Sequence, residues 1–275
     1  MLPTPSTSHV NFDRIYEPAE DSFLLLDTLS STSETTFLAH RFDQEAVKAA
    51  PAVLEVGTGS GVVLAFVTAH AQQILGRTDV LSMGVDINAW ACAATKETVS
   101  QVSRGFSERV RSTHSTNGIF IGCLNANLSS CFRDGVVDIL IFNPPYVPTA
   151  ELPQPLGTDA YTLDAESTGF DEDSQLLSLS YAGGKDGMEV TDRLLDELHL
   201  VLNEERGVAY LLLCKQNKPE LVRQRIARWG KTWLCEIVGQ SGKTGGWEKL
   251  QILRICRTQI SRHGSLAEKG PLRVQ

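Results

Sequence analysis

The feature that most constrains this 275-residue chain is a short apolar run ending on three alternating glycines. Ala52-Val53-Leu54-Glu55-Val56 reads as a buried strand, Gly57-Thr58-Gly59-Ser60-Gly61 as a tight turn, and Val62 to Leu75 as a helix. Glycine lets the backbone turn sharply and approach a ligand closely. A strand that passes into a helix through such a turn is the repeating unit of a wound α/β sheet. The alternation continues with a second strand, Val80 to Val85, ending at Asp86, and a helix from Ala89 to Ser103. Ile119-Phe120-Ile121 is a weaker third strand. Val136 to Phe142 is a fourth, nearly all apolar, as for a strand covered on both faces.

Further on, the pattern predicts a helix over Gly187 to Leu202, a fifth strand over Val208 to Leu213 and a helix over Pro219 to Trp229. Thr232 to Val238 and Leu250 to Ile255 lie too close for a helix between them, and Gly239, Gly242, Gly245 and Gly246 mark the link. They predict a hairpin, so a mainly parallel sheet would end with an antiparallel strand. One domain is expected over residues 14–258. Residues 1–13, rich in Ser, Thr and Pro, read as a flexible arm, and 259–275 as a flexible tail. Pro18 opens a helix whose first turn carries Glu20 and Asp21, suited to the positive end of its dipole, with Leu24, Leu25, Leu26 and Leu29 as the apolar face. Residues 148–173 break the pattern with prolines and a cluster of acids, and read as a mobile acidic insert with a part in access to the site.

A hydrophobic fraction of 42% allows a sizeable core, and a net charge of −8 disfavours direct gripping of nucleic-acid phosphates. The six cysteines form no C-x-x-C pair and no His/Cys spacing suggests a metal, so free thiols in a reducing compartment are expected. Met1 to Pro5 has neither the basic start nor the apolar stretch of a signal peptide, and no apolar run reaches membrane-span length. The expectation is a soluble intracellular protein, cytoplasmic, with the nucleus open as a second place.

The glycine spacing is G-x-G-x-G rather than the G-x-G-x-x-G of dinucleotide folds. Glu55, two positions before the first glycine, would repel a diphosphate but welcome the ammonium of S-adenosyl-L-methionine. Asp86, at the end of the next strand, can accept both ribose hydroxyls.

Asn143-Pro144-Pro145-Tyr146 follows the fourth strand, at the sheet edge where open α/β proteins bind ligands. The prolines fix φ and remove two N–H donors, leaving carbonyls as acceptors. An amide nitrogen is a poor nucleophile that carries two N–H groups. The side-chain oxygen of Asn143 and the carbonyl of Pro144 can accept one each, which turns the nitrogen toward a sulfonium methyl. Tyr146 is expected to pack its ring on the planar substrate group. Adenine N6 is also a planar NH2 and fits the same device, but a base-flipping enzyme usually needs a basic groove.

Tyr16 to Phe23 (Y-E-P-A-E-D-S-F), Leu54 to Gly61, Asp86-Ile87-Asn88, Phe142 to Pro148 and Tyr181 to Gly187 resemble the HemK-type glutamine methyltransferases, most of all the eukaryotic and archaeal branch that modifies the class 1 translation release factor. The resemblance runs from about Tyr16 to Ile255. It implies a Rossmann-like class I methyltransferase fold with a seven-stranded sheet. It implies methyl transfer to the N5 of the glutamine in the release factor's Gly-Gly-Gln loop, with catalysis at Asn143, Pro144, Pro145 and Tyr146. It implies cofactor contacts at Tyr16, Ser22, Glu55, Gly57, Gly59, Asp86, Ile87, Asn127, Leu128 and Asn143. It also implies a heterodimer with a small zinc-binding activator subunit, added at a sheet edge near Val80 to Val85. That branch lacks the separate N-terminal domain of bacterial relatives, and none is expected before Tyr16. Alternatives to glutamine transfer are a histone lysine, an adenine N6, or a non-catalytic scaffold. Two positions depart from the family. Ser22 stands where Thr is usual, and Asn127-Leu128 where Asp-Leu is usual, with Asn125 as an alternative alignment.

Overall fold

Alternation of aliphatic side chains along short strands decides the layering of this computed structural model, which describes residues 2–109, 117–154, 170–242 and 249–258. The strands are β1 (Ala52–Val56), β2 (Leu81–Asp86), β3 (Ile119–Asn125), β4 (Ile139–Phe142), β5 (Val208–Cys214), β6 (Trp233–Gln240) and β7 (Leu250–Arg257). They form a seven-stranded sheet in the order β3-β2-β1-β4-β5-β7-β6. The first five strands run parallel, and β7 lies antiparallel between β5 and β6. The expected doubly wound sheet with a C-terminal antiparallel hairpin is what the chain forms.

The helices are α1 (Glu20–Leu29), α2 (Thr32–Arg41), α3 (Val62–Ala69), α4 (Ala71–Leu75), α5 (Ala89–Arg109), α6 (Phe170–Tyr181), α7 (Glu189–Val201) and α8 (Pro219–Ala227). Val53, Ile139 and Ile141 face Leu25, Leu38 and Phe66 of α1, α2 and α3. Their strand neighbours Leu54, Leu140 and Phe142 face Leu194, Leu198 and Ile226 of α7 and α8. Each such buried side chain contributes about 1.5–3 kcal/mol, so β1 and β4, buried on both faces, hold the two layers together. No helix among the described residues is long and apolar enough to cross a membrane.

Four features differ from the sequence expectation. The helix over 62–75 breaks at His70, whose backbone leaves helical geometry and whose Nε2 lies 3.0 Å from the Pro3 carbonyl oxygen. The arm 2–13 is anchored at points though largely exposed: Val10 buries against Ala94 together with Ile15 beyond the arm, and Thr98 Oγ1 reaches His9 at 3.2 Å. Part of the acidic insert is helical, since α6 begins at Phe170; residues 155–169 and the tail 259–275 lie outside the described residues. Most consequential, β2 is not an edge. It is hydrogen-bonded to β1 on one side and β3 on the other, so a partner cannot extend the sheet there.

Candidate active site

In the strand order, β1 is flanked by β2 on one side and β4 on the other, so the winding reverses between β1 and β4. A crevice opens beyond the carboxyl ends of strands at such a switch point. Here it is a cavity of about 390 Å³. The structure brings to its wall Tyr16, Ser22, Glu55, Gly57, Gly59, Asp86, Ile87, Asn127, Leu128 and Asn143 together.

The glycine turn between β1 and α3 is held tightly. Gly61 caps α3 with φ 78°, and a Cβ there would fall 2.6 Å from the Thr95 Cα of α5. Asp86 stiffens the same turn: Oδ2 accepts the Gly59 N–H at 2.9 Å and Oδ1 the Asn88 N–H at 2.8 Å. Glu55 Oε2 accepts the Leu64 N–H at 2.9 Å. Among the described residues neither acid has a cationic partner. Burial pushes Glu55 well above the usual carboxylate range and raises Asp86 too, against the opposing pull of these backbone hydrogen bonds. Two desolvated carboxyls lining one cavity suit a ligand that is cationic and rich in hydroxyls.

Asn143 follows β4, and its amide has a fixed sense. Asp21 of α1, 3% exposed, accepts Asn143 Nδ2 at 3.0 Å on Oδ2, while its Oδ1 accepts the Ser22 N–H at 2.6 Å. The amide therefore turns its NH2 toward Asp21 and its oxygen away. That oxygen, Asn143 Oδ1, is buried and has no hydrogen-bond partner among the described residues. Buried polar atoms are nearly always paired. An unpaired acceptor on a cavity-lining residue marks the place of a ligand N–H.

The remaining residues of the motif divide. Pro145 lines the cavity and Pro144 is buried beside it. Tyr146 does not line it: the side chain, 9% exposed, packs in the core with the α1–α3 layer. The expected stacking of its ring on substrate therefore gives way to a packing role. Asn125 also lies off the cavity wall, donating Nδ2 to the carbonyls of Asp86 and Ile87 at 3.0 and 2.9 Å, so of the two alternative alignments it is Asn127 that reaches the cavity. Asn127 Oδ1 accepts Arg193 Nη2 at 3.1 Å.

Several contributors to the site carry little or no signal in the sequence. Asp21 lies within the Tyr16 to Phe23 segment but reads locally as a helix-dipole residue. Arg193 carries no local signal. From α6, Leu176, Leu179 and Ser180 line one side of the cavity, and Asp173 Oδ1 of the same helix meets Arg14 Nε at 2.7 Å.

No family profile matches the chain. Curated relatives do. The chain is 32% identical to "eRF1 methyltransferase catalytic subunit mtq2" of Schizosaccharomyces pombe over 94% of this chain and 96% of that protein. It is 34% identical to "Methyltransferase HEMK2" of Mus musculus over 94% and 98% respectively. Among solved structures, the N-terminal domain of human METTL16 in complex with SAH superposes with a TM-score of 0.49 at 11% identity, covering 90% of this chain and 74% of that one. These relatives are methyltransferases, and the wound sheet with a cavity at its switch point is an architecture that suits this class. Within that class, the chain belongs to the family of HEMK2 and the eRF1 methyltransferase catalytic subunits.

Proposed function

We propose that this enzyme transfers a methyl group to the N5 of the glutamine in the Gly-Gly-Gln loop of the class 1 translation release factor, in the cytoplasm. The unpaired Asn143 Oδ1, held in direction by Asp21, carries the reading. It offers one acceptor to a primary amide, with the Pro144 carbonyl as the second. Holding both N–H groups directs the nitrogen lone pair, a gain of position rather than of basicity. Asparagine has no useful pKa, so no strong base acts, and one of the held protons leaves to water after transfer.

The cavity residues fit S-adenosyl-L-methionine. Glu55 would pair with its ammonium, Asp86 would accept its ribose hydroxyls, Asn127 would accept its adenine amino group, and Tyr16, Ser22, Gly57, Gly59, Ile87 and Leu128 would complete the contacts. When bound, the cofactor supplies the methyl as an electrophile. The name of the yeast relative, an eRF1 methyltransferase, supports the substrate; nothing in the site favours adenine or histone lysine over it.

The activator subunit belongs on β3, one of the two edge strands among the described residues, rather than on β2. Ile119, Ile121 and Leu124 are 52%, 58% and 49% exposed there. An apolar strand edge open to water invites strand addition.

The test is transfer of labelled methyl by the complex with its activator to release factor and to a release factor whose Gly-Gly-Gln glutamine is alanine. Label in the first and none in the second is expected. Label in both, or in neither, contradicts the proposal.

A further inference from the structure

The Asn-Pro-Pro-Tyr turn has few backbone handles. Pro144 and Pro145 have no N–H, so between Asn143 and Tyr146 the chain is held chiefly through its carbonyls. The structure meets these with the loop that follows α6 and with one side chain from beyond β5. Val147 N donates to the Tyr181 carbonyl at 2.9 Å and Gly183 N to the Val147 carbonyl at 2.8 Å. A Cβ on Gly183 would overlap the Pro145 carbonyl oxygen, and one on Gly187, at φ 68°, would overlap that of Tyr146. Asn217, 2% exposed, fills the corner. Its Oδ1 accepts the Cys214 N–H at 2.8 Å, which leaves Nδ2 to donate to the carbonyls of Tyr146 at 2.9 Å and Asp186 at 3.0 Å, with Gly187 O at 3.3 Å.

We propose that Asn217 is a positioning residue of the methyl transfer: by holding the Tyr146 carbonyl it fixes the turn and so the direction in which Asn143 and Pro144 present their oxygens. This rests on the reaction proposed above. Asn217 does not line the cofactor cavity, so its effect falls on orientation and not on cofactor binding. Two of its neighbours, Asp186 and Lys218, are non-glycine residues at φ 57° and 53°. Strained backbone of that kind persists where surrounding contacts over-determine it, and it gathers at functional sites. A misplacement of about 1 Å in a reacting geometry costs about 100-fold in rate.

The experiment compares Asn217→Ala, Asn217→Asp and wild type as complexes with the activator, by single-turnover methylation of release factor and by calorimetry of S-adenosylmethionine. The alanine variant is expected to transfer about 100-fold more slowly with an unchanged cofactor dissociation constant. The aspartate variant keeps the shape but sets a carboxylate against carbonyl oxygens. Protonated, it can donate again, so its rate relative to wild type should be lowest near about pH 8.5 and rise toward about pH 6, as a carboxyl raised above its ordinary pKa takes up a proton. A wild-type rate in the alanine variant overturns the inference, as does an aspartate-to-wild-type ratio that is flat with pH. Failure of both variants to fold overturns it in favour of a purely architectural role. A wild type that leaves release factor unlabelled overturns the reaction itself, and the inference with it.

Discussion

At its amino end β4 is preceded by Asp138, and at its carboxyl end it is followed by Asn143, and the two treat buried polarity differently. Asp138, 1% exposed, is fully matched: its oxygens meet Arg206 Nε and Nη2 at 2.6 and 3.2 Å, and Oδ2 accepts the Ala52 N–H at 2.9 Å. Asn143 is matched on its nitrogen by Asp21 and left open on its oxygen. Its neighbours at that end, Glu55 and Asp86, are buried with backbone N–H partners and, among the described residues, no cation. One end of the sheet satisfies its polar groups within the protein, and the other holds them in reserve. The reserve is what a ligand completes, and the energy left unrealised there is available to binding and to the transition state.

The largest expected effect is at the open end. Asn143→Ala should lower kcat by about 10²–10³, in line with the loss of one aimed polar group, with the cofactor dissociation constant largely kept and the melting temperature lowered only by the loss of the Asp21 hydrogen bond. A fully active alanine variant breaks the comparison. At the matched end, Asp138→Ala leaves Arg206 without its carboxylate and should cost about 3 kcal/mol of stability, the lower end of the range because the Arg206 side chain keeps 24% exposure. The melting temperature should fall by about 2–4 °C per kcal/mol for a domain of this size, with transfer per folded molecule unchanged. A stable but inactive variant would mean the two ends are not separable. Asp86→Ala should weaken S-adenosylmethionine by about 10–100-fold, the loss of hydrogen bonds to a charged acceptor being worth about 1.5–3 kcal/mol. An unchanged dissociation constant would place the ribose elsewhere.

The smallest effect concerns pH. Glu55 has its folded pKa raised above the ordinary 4.5 by burial. The folded apoprotein therefore keeps this proton longer than the unfolded chain, and stability falls as pH rises from that ordinary value into the raised range. Glu55→Gln should melt higher than wild type at neutral pH without cofactor, and the difference should close in acid. It should also bind cofactor more weakly at neutral pH. A variant that melts lower at every pH would show that the Glu55 carboxylate is not held at a cost.

Much of this was written locally. β1, the glycine turn, β2, β4 and β5 are runs whose pattern is decided by residues next to one another, and the positions expected at the cofactor do line one cavity. What escaped depends on contacts between distant parts of the chain. The order of strands is invisible to periodicity, and the edge that the resemblance implies near Val80 to Val85 is supplied by β3 instead. The N-terminal arm looks disordered by composition yet is tied down at His70 and Thr98, 67 and 89 residues away from its partners. α2 has no strong apolar face, because two of its buried residues, Glu34 and Arg41, are charged and find partners only in the folded sheet. Asp21 reaches its role across 122 residues. Tyr146 looked like a substrate platform because the motif names the residue and not the direction of its ring.

The central claim is that Asp21 sets the sense of the Asn143 amide. A double-mutant cycle tests it most directly, with single-turnover methylation of release factor by wild type, Asp21→Ala, Asn143→Ala and the double variant. If Asp21 acts through Asn143, each single change slows transfer and the double variant is no slower than Asn143→Ala alone. If the two losses multiply, Asp21 acts independently, and the orientation of Asn143 described here is not what drives the reaction.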